Sequence, residues 1–151
     1  DLDDEGLFFF FFMESRSIAS LPDPQRLTLN APGEEEDEIA ERILEAKDRL
    51  FKGRPQHQIG GYPSVVQNDS MEFECQLAAN GVYCGDPSGY EDPRVAELAA
   101  GVSDWRLLLQ LDTDDEIGMM WGDCGLLYFW LREKDLQRLD FQQTWMILQC
   151  S

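Results

Sequence analysis

The sequence predicts a single α+β domain: an antiparallel β-sheet with internally duplicated strand units and two main helices. Three observations carry that prediction. Short apolar runs at residues 7–13, 105–111, 125–132 and 144–150 are bounded by turn residues, and their length suits strands better than helices. One longer segment, 34–52, repeats its apolar residues at helical spacing. One phrase occurs twice, as Gly6-Leu7-Phe8-Phe9-Phe10-Phe11-Phe12-Met13 and as Gly125-Leu126-Leu127-Tyr128-Phe129-Trp130-Leu131. Each copy follows an acidic or polar turn, and a glycine opening an aromatic run reads as the last turn residue before a buried strand.

The elements follow in order. Residues 7–13 form the first strand, and Arg26-Leu27-Thr28-Leu29 a short one after the turn Pro22-Asp23-Pro24. Pro32-Gly33 introduces the helix over 34–52, with Ile39, Ile43, Ala46 and Leu50 on one face. Its first turn is acidic and its last turn basic, which suits the helix dipole at both ends. Glu38 with Arg42 and Glu45 with Arg49 are spaced as i,i+4 pairs, and Gly53 and Pro55 end the helix. Residues 57–64 form a Gly/Pro-rich loop, and 72–77 fits a short helix or a strand. Asn80-Gly81 and Asp86-Pro87-Ser88-Gly89 mark turns. Asp92 then caps a helix through Ala100, with Pro93 at its first position and Gly101 closing it. Residues 105–111 form a strand, 112–118 a polar loop, 125–132 a strand apolar on both faces, 133–139 one or two helical turns, and 144–150 the last strand. No low-complexity linker divides residues 1–151. The chain opens on Asp1, almost inside a strand, so the domain is expected to lack its N-terminal part.

The charge excludes whole classes of partner. Thirty acidic residues stand against twelve basic ones, a net charge of -18. Nucleic-acid binding needs basic patches that displace counterions, and an anionic membrane surface is repelled for the same reason. The charge suits a protein partner with a basic surface, or a cation. The apolar run at 7–13 is far shorter than the roughly 20 residues of a membrane span and has no basic flank. Cys75, Cys84, Cys124 and Cys150 are irregularly spaced with no CxxC, which points to free thiols and a cytoplasmic setting. Close ligand pairs for zinc are missing and only one histidine is available, so neither a metal centre nor a cofactor is expected.

Several phrases resemble one family. These are His57-Gln58-Ile59-Gly60-Gly61-Tyr62-Pro63, the strand from Asp104-Trp105 to Leu111-Asp112, and Met120-Trp121-Gly122-Asp123-Cys124-Gly125 with its following strand. The closing Trp145-Met146-Ile147-Leu148-Gln149-Cys150 belongs with them. Together they resemble the bacterial YwqG-like family, domain of unknown function 1963, closely over 57–150 and loosely over 6–52. The resemblance implies an α+β fold on antiparallel sheet with internal duplication, and no established activity.

Candidate functional residues fall in two loops. His57, the single histidine, is a candidate general base or a structural loop residue. Gly60 and Gly61 allow close backbone approach to a ligand, or a tight loop at positive φ; Tyr62 beside them suits partner contact. Asp112, Asp114, Asp115 and Glu116 gather carboxylates as a hard cation would need, without EF-hand spacing, or form a solvated acidic loop. Asp123, a second catalytic candidate, sits with Cys124 in a turn whose negative surroundings disfavour a thiolate. Trp105, Tyr128, Trp130 and Trp145 fit a core, and Tyr62, Tyr83 and Tyr90 fit exposed loops.

Two functional expectations follow. The first is a cytoplasmic protein-binding or regulatory, immunity-like module that engages a basic partner through its acidic loops. The second is an enzyme or a small-ligand or metal-binding protein with a cleft around His57 and the Asp112–Asp123 region. Convergence of those side chains on a concave pocket separates the two.

Overall fold

Four strands join in an antiparallel sheet that keeps the order of the chain: β1 Gln58–Ile59, β2 Trp105–Asp112, β3 Leu126–Arg132 and β4 Trp145–Gln149. The computed structural model describes residues 14–27 and 33–151. The expected strand at 7–13, with the first copy of the repeated phrase, lies outside the described residues. Four helices accompany the sheet among them: α1 Gly33–Phe51, α2 Met71–Ala78, α3 Val95–Leu98 and α4 Glu133–Gln137. This is the expected α+β arrangement. Short connections join β2 to β3 and β3 to β4, whereas residues 60–104, with α2 and α3, intervene between β1 and β2.

A single bulge decides which side chains point inward. Leu107 pairs with Trp130 and Leu109 with Phe129, so Leu108 is the extra residue. Strand side chains alternate with a period of two, and an inserted residue reverses the phase. Trp105 and Leu107 face inward, and beyond the bulge Gln110 takes that direction, opposite Tyr128. Gln110 is completely buried as a result.

The inner face builds the core. Trp105, Leu107, Leu126, Tyr128 and Trp130 pack with Met71 and Cys75 of α2, one helical turn apart, and with Val65, Ala79 and Ile147 around them. Burying each large side chain contributes about 1.5–3 kcal/mol. The outer face is apolar too. The three-residue rows Leu109–Phe129–Met146 and Leu111–Leu127–Leu148 cross it in register, and a cavity of about 410 Å³ lies among Ile59, Leu108, Leu109, Phe129, Phe141 and Thr144. The expectation that β3 is apolar on both faces therefore holds.

Segment 14–27 is tied down by ions. The guanidinium of Arg26 meets both carboxylate oxygens of Glu72, at 2.6 and 2.9 Å, and Asp69 at 2.5 Å. It also lies over the Trp130 ring, 5.8 Å from its centre. Lys47 of α1 donates to Asp23 at 3.0 Å.

Several local expectations change. Arg26 ends a 3-10 turn, Pro24–Arg26, in place of opening a strand; residues 28–32 lie outside the described residues. The helix expected from Pro93 starts at Val95, because Asp92 turns its carboxylate onto the Arg94 N–H at 2.8 Å and its guanidinium. It then tightens into a 3-10 helix, Ala99–Asp104, that runs through Gly101. At Gly101 a Cβ would strike the Gln76 amide, and that amide accepts from Trp105 Nε1 at 3.0 Å. The second-longest helix is accordingly α2. Of the two i,i+4 pairs on α1, Glu45–Arg49 closes at 2.8 Å, and no ion pair joins Glu38 to Arg42.

Candidate functional site

The segments on either side of β1, residues 56–57 before it and 60–70 leading to α2, cross the inner face of the sheet, and three successive strands hold them. From β2, Gln110 donates to the Gln56 carbonyl at 2.7 Å and accepts from the Ser64 N–H at 2.9 Å. From β3, the Tyr128 hydroxyl donates to the Ser64 carbonyl at 2.5 Å. From β4, Gln149 accepts from the N–H groups of Val66 and Gln67, at 3.0 and 3.1 Å, and donates to the Asn68 carbonyl at 2.7 Å. A loop has no ladder of its own, so its buried backbone groups need side-chain partners. Primary amides supply both donor and acceptor. Burial, with the Asp112 and Asp23 carboxylates, pushes the Tyr128 phenol well above the usual range, so it stays a donor.

This frame brings His57, Asp112 and Asp114 together. His57 Nδ1 accepts from the Asp112 N–H at 3.1 Å, and its Nε2 lies 3.3 Å from an Asp114 carboxylate oxygen. A backbone N–H can only donate, so Nδ1 carries the lone pair and Nε2 the hydrogen. Both ring nitrogens are thus engaged. The second oxygen-bearing partner, Asp112, accepts from the Gln56 N–H at 2.7 Å.

The acidic loop divides into two kinds of carboxylate. Asp114 caps the 3-10 turn Asp115–Ile117 by accepting from the Glu116 N–H at 3.0 Å. Its backbone exchanges two bonds with Met119, at 2.8 and 2.9 Å. Gly118, in the left-handed region at φ 70°, closes the turn. Asp112 and Asp114 are therefore built into the fold. Asp115 and Glu116 are exposed, and their side chains make no hydrogen bond or ion pair among the described residues.

Gly60 and Gly61 adopt φ of 66° and 77°, conformations that disfavour side chains. A Cβ on Gly61 would fall 2.4 Å from Ser20 Oγ, the atom that accepts the Tyr62 N–H at 3.1 Å. Gly61 thus lets segment 14–27 dock, and Tyr62 stays 49% exposed beside it. Asp123 lies apart, in the turn before β3, where its carbonyl accepts from Ser151 Oγ at 2.8 Å. Cys124 is exposed next to it, at φ 51°. The cavities of the described surface include the outer-face one and another of about 250 Å³ among Leu21, Ile39, Arg42, Ile43 and Ala46. Neither is lined by the candidate residues. No group of three or more His, Cys, Asp or Glu side chains is placed to hold a metal ion among the described residues, and no described helix is long and apolar enough to cross a membrane.

A family model described as a domain of unknown function, DUF1963, matches residues 3–150. The chain belongs to this family. No curated protein matches it. In this DUF1963 chain the segments stapled across the sheet flank β1, with His57 on one side and Gly60, Gly61 and Tyr62 on the other, and Gln58 and Ile59 of β1 pair with Gln110 and Leu109 of β2. Sequence reasoning missed the residues that do the stapling: Gln110, Gln149 and the Tyr128 hydroxyl. A signal was present, since Gln110 stands between Leu109 and Leu111 and Gln149 follows Met146-Ile147-Leu148, and an amide buried there must be satisfied.

Proposed function

We propose that this DUF1963 chain is a protein-binding, regulatory module that engages a basic surface of its partner through the turn bearing Asp115 and Glu116. One observation carries the reading: the turn's structural work is done by Asp112 and Asp114, and the two carboxylates left over point to solvent with no counter-charge. Unused like charges on a chain of net charge -18 steer and orient a basic partner. Asp123 and the exposed Tyr62 are further contact candidates on this reading. A cytoplasmic, immunity-like role fits the same charge. Chemistry in a cleft around His57 draws less support, since both imidazole nitrogens are occupied.

Affinity capture from native lysate with the full chain tests the proposal, read by mass spectrometry beside the Asp115→Asn/Glu116→Gln double variant. A stoichiometric basic partner that the double variant loses is the expected result. A partner retained in full by the double variant, or none above background, overturns it.

A further inference from the structure

His57 and the acidic turn share one hydrogen-bond chain, and that chain works for only one protonation state of the ring. Three groups meet the loop at this point. From β2 come the Asp112 N–H, on Nδ1 at 3.1 Å, and the Asp112 carboxylate, on the neighbouring Gln56 N–H at 2.7 Å. From the turn comes the Asp114 carboxylate, 3.3 Å from Nε2. Asp115 and Glu116 extend from the same turn, and no cation is bonded to any of these carboxylates among the described residues. The charged side chain in contact with the ring is thus the Asp114 carboxylate, and the Asp112 carboxylate holds the neighbouring Gln56 N–H.

A neutral ring with hydrogen on Nε2 satisfies both contacts. A second proton must go to Nδ1, where it would face another N–H. A donor cannot accept, so that bond breaks. The Nε2 contact to Asp114 survives and becomes charge-assisted. Protonation thus exchanges the ring's anchor: it releases the end of β2 and keeps hold of the turn. The residue gripped throughout, Asp114, is the one that caps the turn and bridges to Met119.

We infer that His57 is a proton-operated latch that positions the acidic turn: the neutral imidazole locks Asp115 and Glu116 to the end of β2, and the imidazolium frees them to move with Asp114. This deepens the proposed function, and its functional meaning rests on that reading of the turn, but the latch itself does not need a partner. His57 is a positioning residue here, acting through Asp114 on carboxylates it does not touch.

The test uses ¹H–¹⁵N NMR of the full chain between about pH 5 and pH 8, the interval in which histidine switches charge. The expected result is an Nε2–H tautomer at the upper end, with the Asp112 and Glu116 amide resonances following the ring's own titration. His57→Asn keeps an acceptor near the Nδ1 position and cannot titrate; its two amides should stay at the neutral wild-type positions throughout. His57→Gln places its amide nearer Nε2 and should resemble the acid form at every pH. An Nδ1–H tautomer, amides that do not follow the ring, or a His57→Asn variant whose amides shift as in the wild type overturns the latch. Because no partner is present, a failed capture experiment leaves this result untouched, and a failed latch leaves the capture result standing.

Discussion

Tyr128 donates its phenolic hydrogen to the backbone carbonyl of Ser64 at 2.5 Å, joining the central strand to a loop 64 residues earlier in the chain. Tyr128→Phe keeps the ring in the core and removes only that donor. The Ser64 carbonyl loses its buried partner, at a cost of about 1–3 kcal/mol. Urea unfolding with an unchanged m-value would show it; an unchanged midpoint would mean that the carbonyl finds another donor.

Gln149 serves more groups than Tyr128 does, since it accepts from two N–H groups and donates to one carbonyl. Gln149→Leu should therefore destabilise more than Tyr128→Phe, by at least about 2 kcal/mol. The same denaturant titration ranks the two variants, and the reverse order would refute the staple.

Arg26 faces Glu72 and Asp69 with only 14% of its side chain exposed. Arg26→Ala leaves two carboxylates without their cation, and about 3 kcal/mol is the expected loss. Asp69 adds a dependence on pH. Burial holds its carboxyl above the ordinary range, outweighing the pull of Arg26. The native state therefore holds this proton more tightly than the unfolded chain. The stability so contributed is present at low pH and is lost as pH rises through the ordinary carboxylate range and just above it. In Asp69→Asn that part of the stability-pH profile should flatten.

The two kinds of carboxylate in the acidic turn should respond differently. Asp114→Ala removes a cap and the His57 contact, and about 1 kcal/mol of stability should go with them. Asp115→Asn/Glu116→Gln should stay within roughly 0.5 kcal/mol of the wild type. Thermal melts of both variants check this, and they also establish that the capture experiment compares folded proteins.

Thiol reactivity should follow burial. Burial, aided by Glu72 and Glu74, pushes the Cys75 thiol far up, and burial and Glu74 raise Cys84. Cys124 is exposed. Maleimide should label Cys124 first and Cys75 only on unfolding; mass spectrometry of a timed reaction gives the order.

The strands were legible because apolar runs of strand length sat between turn residues. Residues 105–111, 125–132 and 144–150 anticipated β2, β3 and β4 to within a residue or so, and the amphipathic spacing placed α1. Boundaries failed where a side chain competed with the backbone, as Asp92 did by bonding the Arg94 N–H. β1 stayed hidden because two residues of strand carry no periodicity, and its existence depends on the β2 edge. The candidate site was half visible. Composition marked His57 and the acidic loop, but their contact needs the register of β2, which a bulge at Leu108 resets. No local pattern announces that.

The loop held by Gln110, Tyr128 and Gln149 has one more consequence. Residues 60–70 contain almost no regular secondary structure, yet the amides of Ser64, Val66 and Gln67 are bonded to buried side chains from two strands. Those bonds end on Gln110 and Gln149, side chains buried in the sheet. In a native-state hydrogen-exchange experiment they should exchange together with β2 and β4, the strands whose amides hold them, while the equally irregular turn at 115–118 exchanges by local fraying.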